Sequence, residues 1–228
     1  MKSAQGFRKS LIFVVDDHLI MRDGISQLIN QQADMEVCGG AGNGPEALAA
    51  LETSSPDLML VDLSLKGMDG IELIKAVKKR NDRLPTLVLS MHDEALYAER
   101  AVRAGAKGYV MKHASTDTLL EAIRKVLAGK VALSPAMTEK LLEKVTRDDR
   151  SSGESPVAGL SDRELEIFTL VGQGLGPRRI AGELNLSVKT VETYYARIKQ
   201  KLGLGNAAEL LQAAIAWQTD IQKNEDNL

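Results

Sequence analysis

The chain has 228 residues, of which 44% are hydrophobic and 26% are charged, with a formal net charge of -2. This composition excludes an intrinsically disordered chain. Apolar runs are shorter than the roughly 20 residues that a membrane-spanning helix needs, and residues 1–9 lack the apolar core of a signal peptide. The single cysteine, Cys38, cannot form an internal disulfide and is expected in the core. We therefore expect a cytoplasmic protein of two modest domains without a membrane partner.

Short apolar runs alternate with amphipathic stretches between residues 10 and 130. The apolar runs lie at 11–15, 35–39, 58–62, 86–90 and 108–111. The stretches with helical spacing lie near 18–30, 44–54, 69–80, 94–104 and 115–128. This alternation predicts an α/β domain, a doubly wound parallel sheet of five strands with crossover helices.

Polar residues stand where these strands are predicted to end. Asp62 is expected as the last residue of the third strand, and Asp16 and Asp17 follow the first. Ser90 ends the fourth strand and Lys112 follows the fifth. Because open α/β sheets bind ligands at the carboxyl ends of their strands, we expect these groups to converge. Carboxylates gathered in this way repel one another unless a cation lies among them, and oxygen ligands of this kind suit Mg2+.

This set of residues has the chemistry of a phosphoryl-acceptor site. Asp16 and Asp17 would hold Mg2+, Asp62 would attack the phosphoryl group, and Ser90 and Lys112 would hold its oxygens. Taken singly, a serine or lysine after a strand is usually a solvated loop residue. Their joint occurrence at four strand ends favours the site. The glycine-rich segment 39–44 does not fit a dinucleotide-binding loop, because proline occupies the position of the third glycine.

Residues 10–130 closely resemble the receiver domain of two-component response regulators, which has a CheY-like, flavodoxin-like fold. The resemblance implies that Asp62 accepts phosphate from a partner histidine kinase, and that Ser90 and Tyr109 reorient when it does. It also implies that the backbone carbonyl of Ser64 joins the metal ligands. Many receivers have proline after the conserved lysine, whereas this chain has His113, which leaves a cis peptide there open.

The three histidines of the first domain are not expected to bind the metal ion. His18 follows the acidic pair, and His113 follows Lys112, so both are interpreted as loop or helix-start residues. His92 is interpreted as a solvated loop residue.

Residues 131–158 are expected to form a linker, with a helix near 134–146 and a polar tether at 147–156. Residues 159–222 have an all-helical pattern of four helices. Ser161 and Glu164 form a capping box, Pro177 suits the first turn of the second helix, and Ser187 caps a third helix over 188–202. A short helix, a tight turn and a longer helix predict a helix-turn-helix. The third helix carries four basic residues against one acid, a net charge of +3.

The segments 160–164, 180–194 and 201–204 resemble the LuxR-type DNA-binding domain, and the whole chain resembles the NarL/FixJ family of response regulators. The resemblance implies that 188–202 is the recognition helix for double-stranded DNA and that the last helix supplies a homodimer contact. The side chains suited to phosphate contacts are Lys189, Thr190, Tyr194, Arg197 and Lys201. The candidates for contacts with base edges are Glu192, Thr193 and Ala196.

Two alternatives remain beside a phosphorylation-switched transcription regulator. A phosphatase with an aspartate nucleophile would use the same Mg2+ chemistry, but such enzymes commonly carry a second acid at the position of Ser64. A receiver that works without phosphate is disfavoured by the intact acidic set. We therefore expect a protein that is not an enzyme and that dimerises when phosphorylated.

Overall fold

The structure is a computed structural model that describes residues 8–146 and 156–225. The chain divides into two compact units, one on each side of the boundary between Asp149 and Arg150. The predicted polar tether at 147–156 lies outside the described residues except for its last position. Within the described parts, no helix is both long and apolar enough to cross a membrane.

The first unit contains a five-stranded parallel sheet with helices between the strands. Its strands are β1 (Ser10–Val15), β2 (Met35–Ala41), β3 (Leu58–Val61), β4 (Thr86–Ser90) and β5 (Gly108–Met111). Its first five helices are α1 (Leu19–Asn30), α2 (Gly44–Ala50), α3 (Gly70–Arg80), α4 (Glu94–Ala104) and α5 (Thr116–Leu127). The strand order is β2-β1-β3-β4-β5, and every pair is parallel. The predicted fold is confirmed.

The strand order fixes where a site can form. The chain moves outward from β1 to β2 and then returns to the other side of β1, so the order reverses between β1 and β3. All four residues of β3 are buried, as expected for a central strand. Asp62 lies one residue beyond the end of β3 instead of within it, although its N–H still donates to the carbonyl of Val15 at 2.9 Å. Its side chain therefore starts at the crevice.

The edge strand β2 alternates between covered and exposed positions because successive side chains of a strand point to opposite faces of the sheet. Cys38 occupies one of the exposed positions, so its predicted place in the core is wrong. The short apolar run around it could not reveal which face of an edge strand would be covered.

The predicted linker helix begins as part of the first unit. Ala132 forms a parallel bridge with Gly108 at the start of β5, and its carbonyl accepts the N–H of Tyr109 at 2.8 Å. Helix α6 (Pro135–Thr146) follows, with Met137 buried. A side chain at Gly108 would place its Cβ 2.5 Å from the Ala132 carbonyl oxygen, so this close approach requires glycine.

The second unit is helical, and the predicted four helices are present. A short 3-10 turn (Pro156–Gly159) precedes α7 (Asp162–Gly172), α8 (Pro177–Glu183), α9 (Val188–Leu202) and α10 (Ala207–Glu225). Its core contains Phe168, Ile180, Val191, Ile198 and Leu210. The predicted capping box at Ser161 and Glu164 is formed. Asn185 takes a left-handed φ of 51° in the tight turn between α8 and α9, a conformation that asparagine tolerates.

Candidate phosphoacceptor site and nucleic-acid interface

One buried lysine joins two buried aspartates at the carboxyl edge of the sheet. The Lys112 Nζ lies 2.7 Å from Asp62 Oδ2 and 2.8 Å from Asp16 Oδ2. The three side chains are at most 5% exposed. They come from the ends of β5, β3 and β1, which the sequence predicted to converge. Charge-assisted hydrogen bonds of this length are strong because little water screens them.

Burial and the neighbouring charges act in opposite directions on this pair. Burial raises the pKa of Asp62, and the ammonium of Lys112 opposes that rise without cancelling it. For Lys112, burial alone would lower the pKa, but the carboxylates of Asp62 and Asp16 outweigh it and the pKa lies above its ordinary value. The lysine is therefore held as a cation beside carboxylates that solvent cannot stabilise.

The residues beside β1 fit the Mg2+ expected here. Asp16, Asp17, His18 and Asp62 each offer a ligand atom, and these atoms lie within 4.8 Å of one another. Asp17 Oδ1 is shielded from solvent and accepts no hydrogen bond, because His18 Nδ1, 2.8 Å away, is poorly aligned for one. A buried carboxylate oxygen left in this way is suited to a hard cation.

His18 stands at the start of α1, as predicted, and its side chain is 68% exposed. Its backbone N–H donates to Asp16 Oδ1 at 2.8 Å. This bond fixes the orientation of the Asp16 carboxylate, so residue 18 contributes to the site through its backbone.

The loop after β3 is folded tightly over Asp62. The Ser64 N–H donates to Asp62 Oδ1 at 3.3 Å, and the Gly70 N–H donates to the Leu63 carbonyl at 2.9 Å. A Cβ at Gly70 would lie 2.2 Å from the carbonyl oxygen of Asp62. Only glycine lets the first turn of α3 approach the backbone of the acceptor residue this closely.

The two residues predicted to switch are hydrogen-bonded to each other through their side chains and are also linked through a third residue. Ser90 is fully buried and Tyr109 is 3% exposed. The Tyr109 hydroxyl donates to the backbone carbonyl of His92 at 2.7 Å, and the His92 N–H donates to Ser90 Oγ at 3.1 Å. Burial raises the pKa of Tyr109, which keeps its phenol protonated and able to donate.

His92 lies in the loop between β4 and α4, as predicted, but the expectation that its side chain is solvated is wrong. Its side chain is half-buried, its Nε2 lies 2.8 Å from Ser64 Oγ, and its ring stacks on Tyr97 with the centroids 4.6 Å apart. The only signal available in the sequence was its position, two residues after Ser90 in the loop that covers the site. The Lys112–His113 peptide, left open above, is not cis, since the described residues contain no cis bond.

Helix α9 separates its buried residues from an exposed polar face, as a recognition helix must. Val191 and Ile198 are buried against the domain. The exposed residues predicted to contact DNA are Lys189, Glu192, Thr193, Ala196, Arg197 and Lys201. Thr190 and Tyr194 are half-buried, and the Arg197 guanidinium lies 5.8 Å from the centroid of the Tyr194 ring.

Lys201 differs from the other basic residues of this face because it is engaged within its own domain. Its Nζ lies 2.6 Å from Glu164 Oε2 and donates to the Gly159 carbonyl at 3.2 Å. Burial alone would raise the pKa of Glu164, but the hydrogen bonds from Lys201 and Ser161 outweigh it, so this pKa is lowered. A phosphate contact by Lys201 would have to compete with this ion pair.

Comparison with known proteins gives the family. The response regulator receiver domain matches residues 12–124, and the luxR family of bacterial regulatory proteins matches residues 158–214. The oxygen regulatory protein NreC of Staphylococcus carnosus is 37% identical over 208 residues, which are 90% of this chain and 96% of that protein.

Solved structures agree with this result. A LuxR-family two-component response regulator from Aurantimonas is 32% identical, with a TM-score of 0.56 over 61% of this chain and 99% of its own. RcsB of Salmonella enterica serovar Typhimurium, bound to a promoter in the presence of a beryllofluoride phosphomimetic, is 27% identical, with a TM-score of 0.55 over 90% of this chain and 97% of its own. The chain therefore belongs to the NarL/FixJ response regulators, transcription factors that join a receiver domain to a luxR-family DNA-binding domain.

Proposed function

We propose that Asp62 is the phosphoacceptor of this response regulator and that a partner histidine kinase is its donor. An Asp62 carboxylate oxygen attacks the phosphorus of a phosphohistidine, a new P–O bond forms, and the P–N bond breaks with its electron pair returning to the imidazole nitrogen. The observation that carries the proposal is the Lys112 ammonium held 2.7 Å from the attacking carboxylate. Membership of a transcription-factor family excludes the phosphatase alternative.

The surrounding residues supply charge and orientation. Asp16, Asp17, Asp62 and the backbone carbonyl of Ser64 would hold Mg2+, which supplies positive charge opposite the phosphoryl oxygens. Ser90 Oγ accepts the N–H of His92, and its hydroxyl proton is the group that would donate to a phosphoryl oxygen. The Lys112 ammonium can exchange a contact with a carboxylate for a contact with a phosphoryl oxygen. Each group therefore stabilises the acyl phosphate in a distinct way.

The output of the proposed switch is dimerisation and sequence-specific binding to DNA. Leu211 and Ile215 are one turn apart on α10 and are 39% and 46% exposed, an apolar pair suited to a second copy of the chain. RcsB, a similar protein, is bound to a promoter in the presence of a phosphomimetic, which supports the same coupling here. Because the work is done on DNA, we place the protein in the cytoplasm.

The proposed DNA contacts divide by chemistry. Lys189, Thr190, Tyr194, Arg197 and Lys201 contact phosphates, which supplies affinity with little sequence preference. Glu192, Thr193 and Ala196 face the base edges in the major groove. A glutamate accepts from cytosine, and the methyl groups of threonine and alanine contact thymine. The Thr193 hydroxyl already donates to the Lys189 carbonyl at 2.9 Å, which favours its methyl group for that contact.

Intact-mass measurement after incubation with Mg2+ and a small phosphoryl donor tests the acceptor directly. The wild-type chain should gain one phosphoryl group, and Asp62→Asn should gain none. Asp69→Asn is the matched control, because Asp69 caps α3 seven residues later and asparagine caps a helix equally well. Equal labelling of wild type and Asp62→Asn would overturn the proposal, and the control variant should be labelled like wild type.

A further inference from the structure

We infer that His92 is a positioning residue that couples the chemical state of Asp62 to Tyr109 and helix α4. The inference rests on the proposed phosphorylation of Asp62 and adds the route by which that event reaches the switch. Among the described contacts, His92 connects four parts of the receiver: the loop after β3, the end of β4, strand β5 and α4.

The side chain of His92 is held from two directions. On one side, its Nε2 lies 2.8 Å from the hydroxyl oxygen of Ser64, which is two residues beyond the phosphoacceptor. On the other side, its ring stacks on Tyr97, which is buried in α4, at an interplanar angle of 27°. A hydrogen bond at one ring nitrogen and a stack on the ring face restrict both the rotation of the ring and its distance from the site.

The backbone of His92 contacts both residues that are predicted to switch. Its N–H donates to Ser90 Oγ, and its carbonyl accepts the Tyr109 hydroxyl. The phenol of Tyr109 is buried and also hydrogen-bonded to the Ser90 hydroxyl, so loss of the residue 92 carbonyl would remove one of its two partners in a place that water does not reach. The inward position of Tyr109 therefore depends on where the carbonyl of residue 92 lies.

These contacts give one path through the site. Phosphorylation adds charge and volume at Asp62, and the backbone of Ser64, which already donates to the Asp62 carboxylate, must adjust. The Ser64 hydroxyl carries that adjustment to the His92 ring, and the peptide groups on either side of residue 92 carry it to Tyr109. Tyr97 carries it to α4.

The test uses the full chain labelled with fluorotyrosine and observed by fluorine NMR, with Mg2+ and beryllofluoride as the phosphoryl mimic. Bound beryllofluoride gives its own fluorine signals, so the occupancy of Asp62 and the response of Tyr109 are read in the same spectrum. The Tyr109 signal is assigned from its absence in Tyr109→Phe. The wild-type signal should shift when the mimic binds.

Three variants separate the contacts of His92. His92→Phe keeps the ring on Tyr97 and loses the bond to Ser64, so it should bind the mimic while its Tyr109 signal shifts at least threefold less than in wild type. His92→Gln keeps a donor and an acceptor within reach of Ser64 and should recover part of the shift. His113→Phe, at an exposed loop position, is the matched control and should respond like wild type.

Ser64→Ala removes the other end of the hydrogen bond. Combined with His92→Phe, it should reduce the shift no further than either change alone, because both break the same contact. A full Tyr109 shift in occupied His92→Phe would overturn the role of His92 and leave the proposed function standing. Absence of bound beryllofluoride in the wild type would overturn the proposed function, and the inference with it.

Discussion

The two functional surfaces of this protein are built on opposite principles. In the receiver, the acceptor site buries Asp62, Asp16 and Lys112 at a sheet edge, where each charge depends on the others. In the DNA-binding domain, the working face of α9 is exposed, and Lys189 and Arg197 are solvated side chains on a helix whose other face packs into the core. We therefore expect the loss of any one charged residue to disrupt the first surface. On the second surface, the loss of one residue should weaken binding only in part.

This difference determines how each surface responds to change. Buried charges interact strongly because little water screens them, so loss of one partner leaves another uncompensated. Exposed charges act on DNA through a field that several side chains share, and salt weakens it.

The largest effect is expected from Lys112→Met. The change leaves Asp62 and Asp16 buried beside each other without the intervening ammonium, which should cost about 3 kcal/mol of unfolding free energy, the lower end of the range for breaking a buried pair. Chemical denaturation of the receiver without divalent cations measures it. Addition of Mg2+ should restore more stability to this variant than to wild type, because the cation replaces the missing charge.

Lys66→Met is the matched control for that change. Its ammonium lies 3.6 Å from Asp17 Oδ2 in the same pocket, but the side chain is 53% exposed. An exposed pair contributes less than about 1 kcal/mol, so the loss should be small and the Mg2+ response unchanged. Equal destabilisation by the two variants would contradict the contrast between buried and exposed charges.

A smaller loss is expected at the backbone of the phosphoacceptor loop from Gly70→Ala. The added methyl would lie 2.2 Å from the Asp62 carbonyl oxygen, so α3 or the loop must move. We expect a loss of about 2 kcal/mol, within the range for overpacking, and a lower rate of phosphorylation. Gly67→Ala, where φ is +83° but the added atom meets nothing, should lose stability without the same loss of rate.

On α9, the expected effects are incremental and differ in kind. Arg197→Ala should weaken binding to all DNA sequences and reduce the dependence of log affinity on log salt by about 1. Glu192→Ala should instead relax the preference at one base pair, by roughly 1–3 kcal/mol. Titrations at several salt concentrations, with specific and mixed-sequence DNA, separate the two. If Glu192→Ala lost the same affinity for every DNA sequence, Glu192 would not contact a base edge.

A small effect is expected at the ion pair of the second unit, where Glu164 is buried but its partner Lys201 is 43% exposed. Glu164→Gln weakens the capping box and the ion pair with Lys201, at a cost of about 1 kcal/mol. Because the pKa of Glu164 is lowered in the folded state, its contribution is present above the unfolded pKa and is lost as the pH falls through the folded value. The difference in unfolding free energy between wild type and Glu164→Gln should therefore be present near pH 7 and shrink as the pH falls below the ordinary pKa of a glutamate. A constant difference would contradict this account.

The strand-end residues could be predicted because sheet topology brings them together whatever the helices do. To predict that Asp16, Asp62 and Lys112 lie together, it is enough to know where the strands end and that the carboxyl ends of parallel strands share one edge of the sheet. His92 could not be predicted in the same way. Its partners Ser64 and Tyr97 lie on different elements, and the path of the loop after β4 is set by tertiary hydrogen bonds.

The same limit explains two further differences. Cys38 was misplaced because an apolar run does not tell which face of an edge strand is covered. The engagement of Lys201 with Glu164 joins helices far apart in the sequence, and charge pattern alone cannot distinguish a basic residue that faces DNA from one that neutralises a cap.

We propose that phosphorylation of Asp62 controls assembly on DNA. The decisive experiment is light scattering with Mg2+, with and without beryllofluoride, alongside binding to DNA of mixed sequence. The mass should double and the affinity should rise when the mimic is present, and neither change should occur in Asp62→Asn. An unchanged mass and affinity in wild-type protein that carries bound mimic would contradict it.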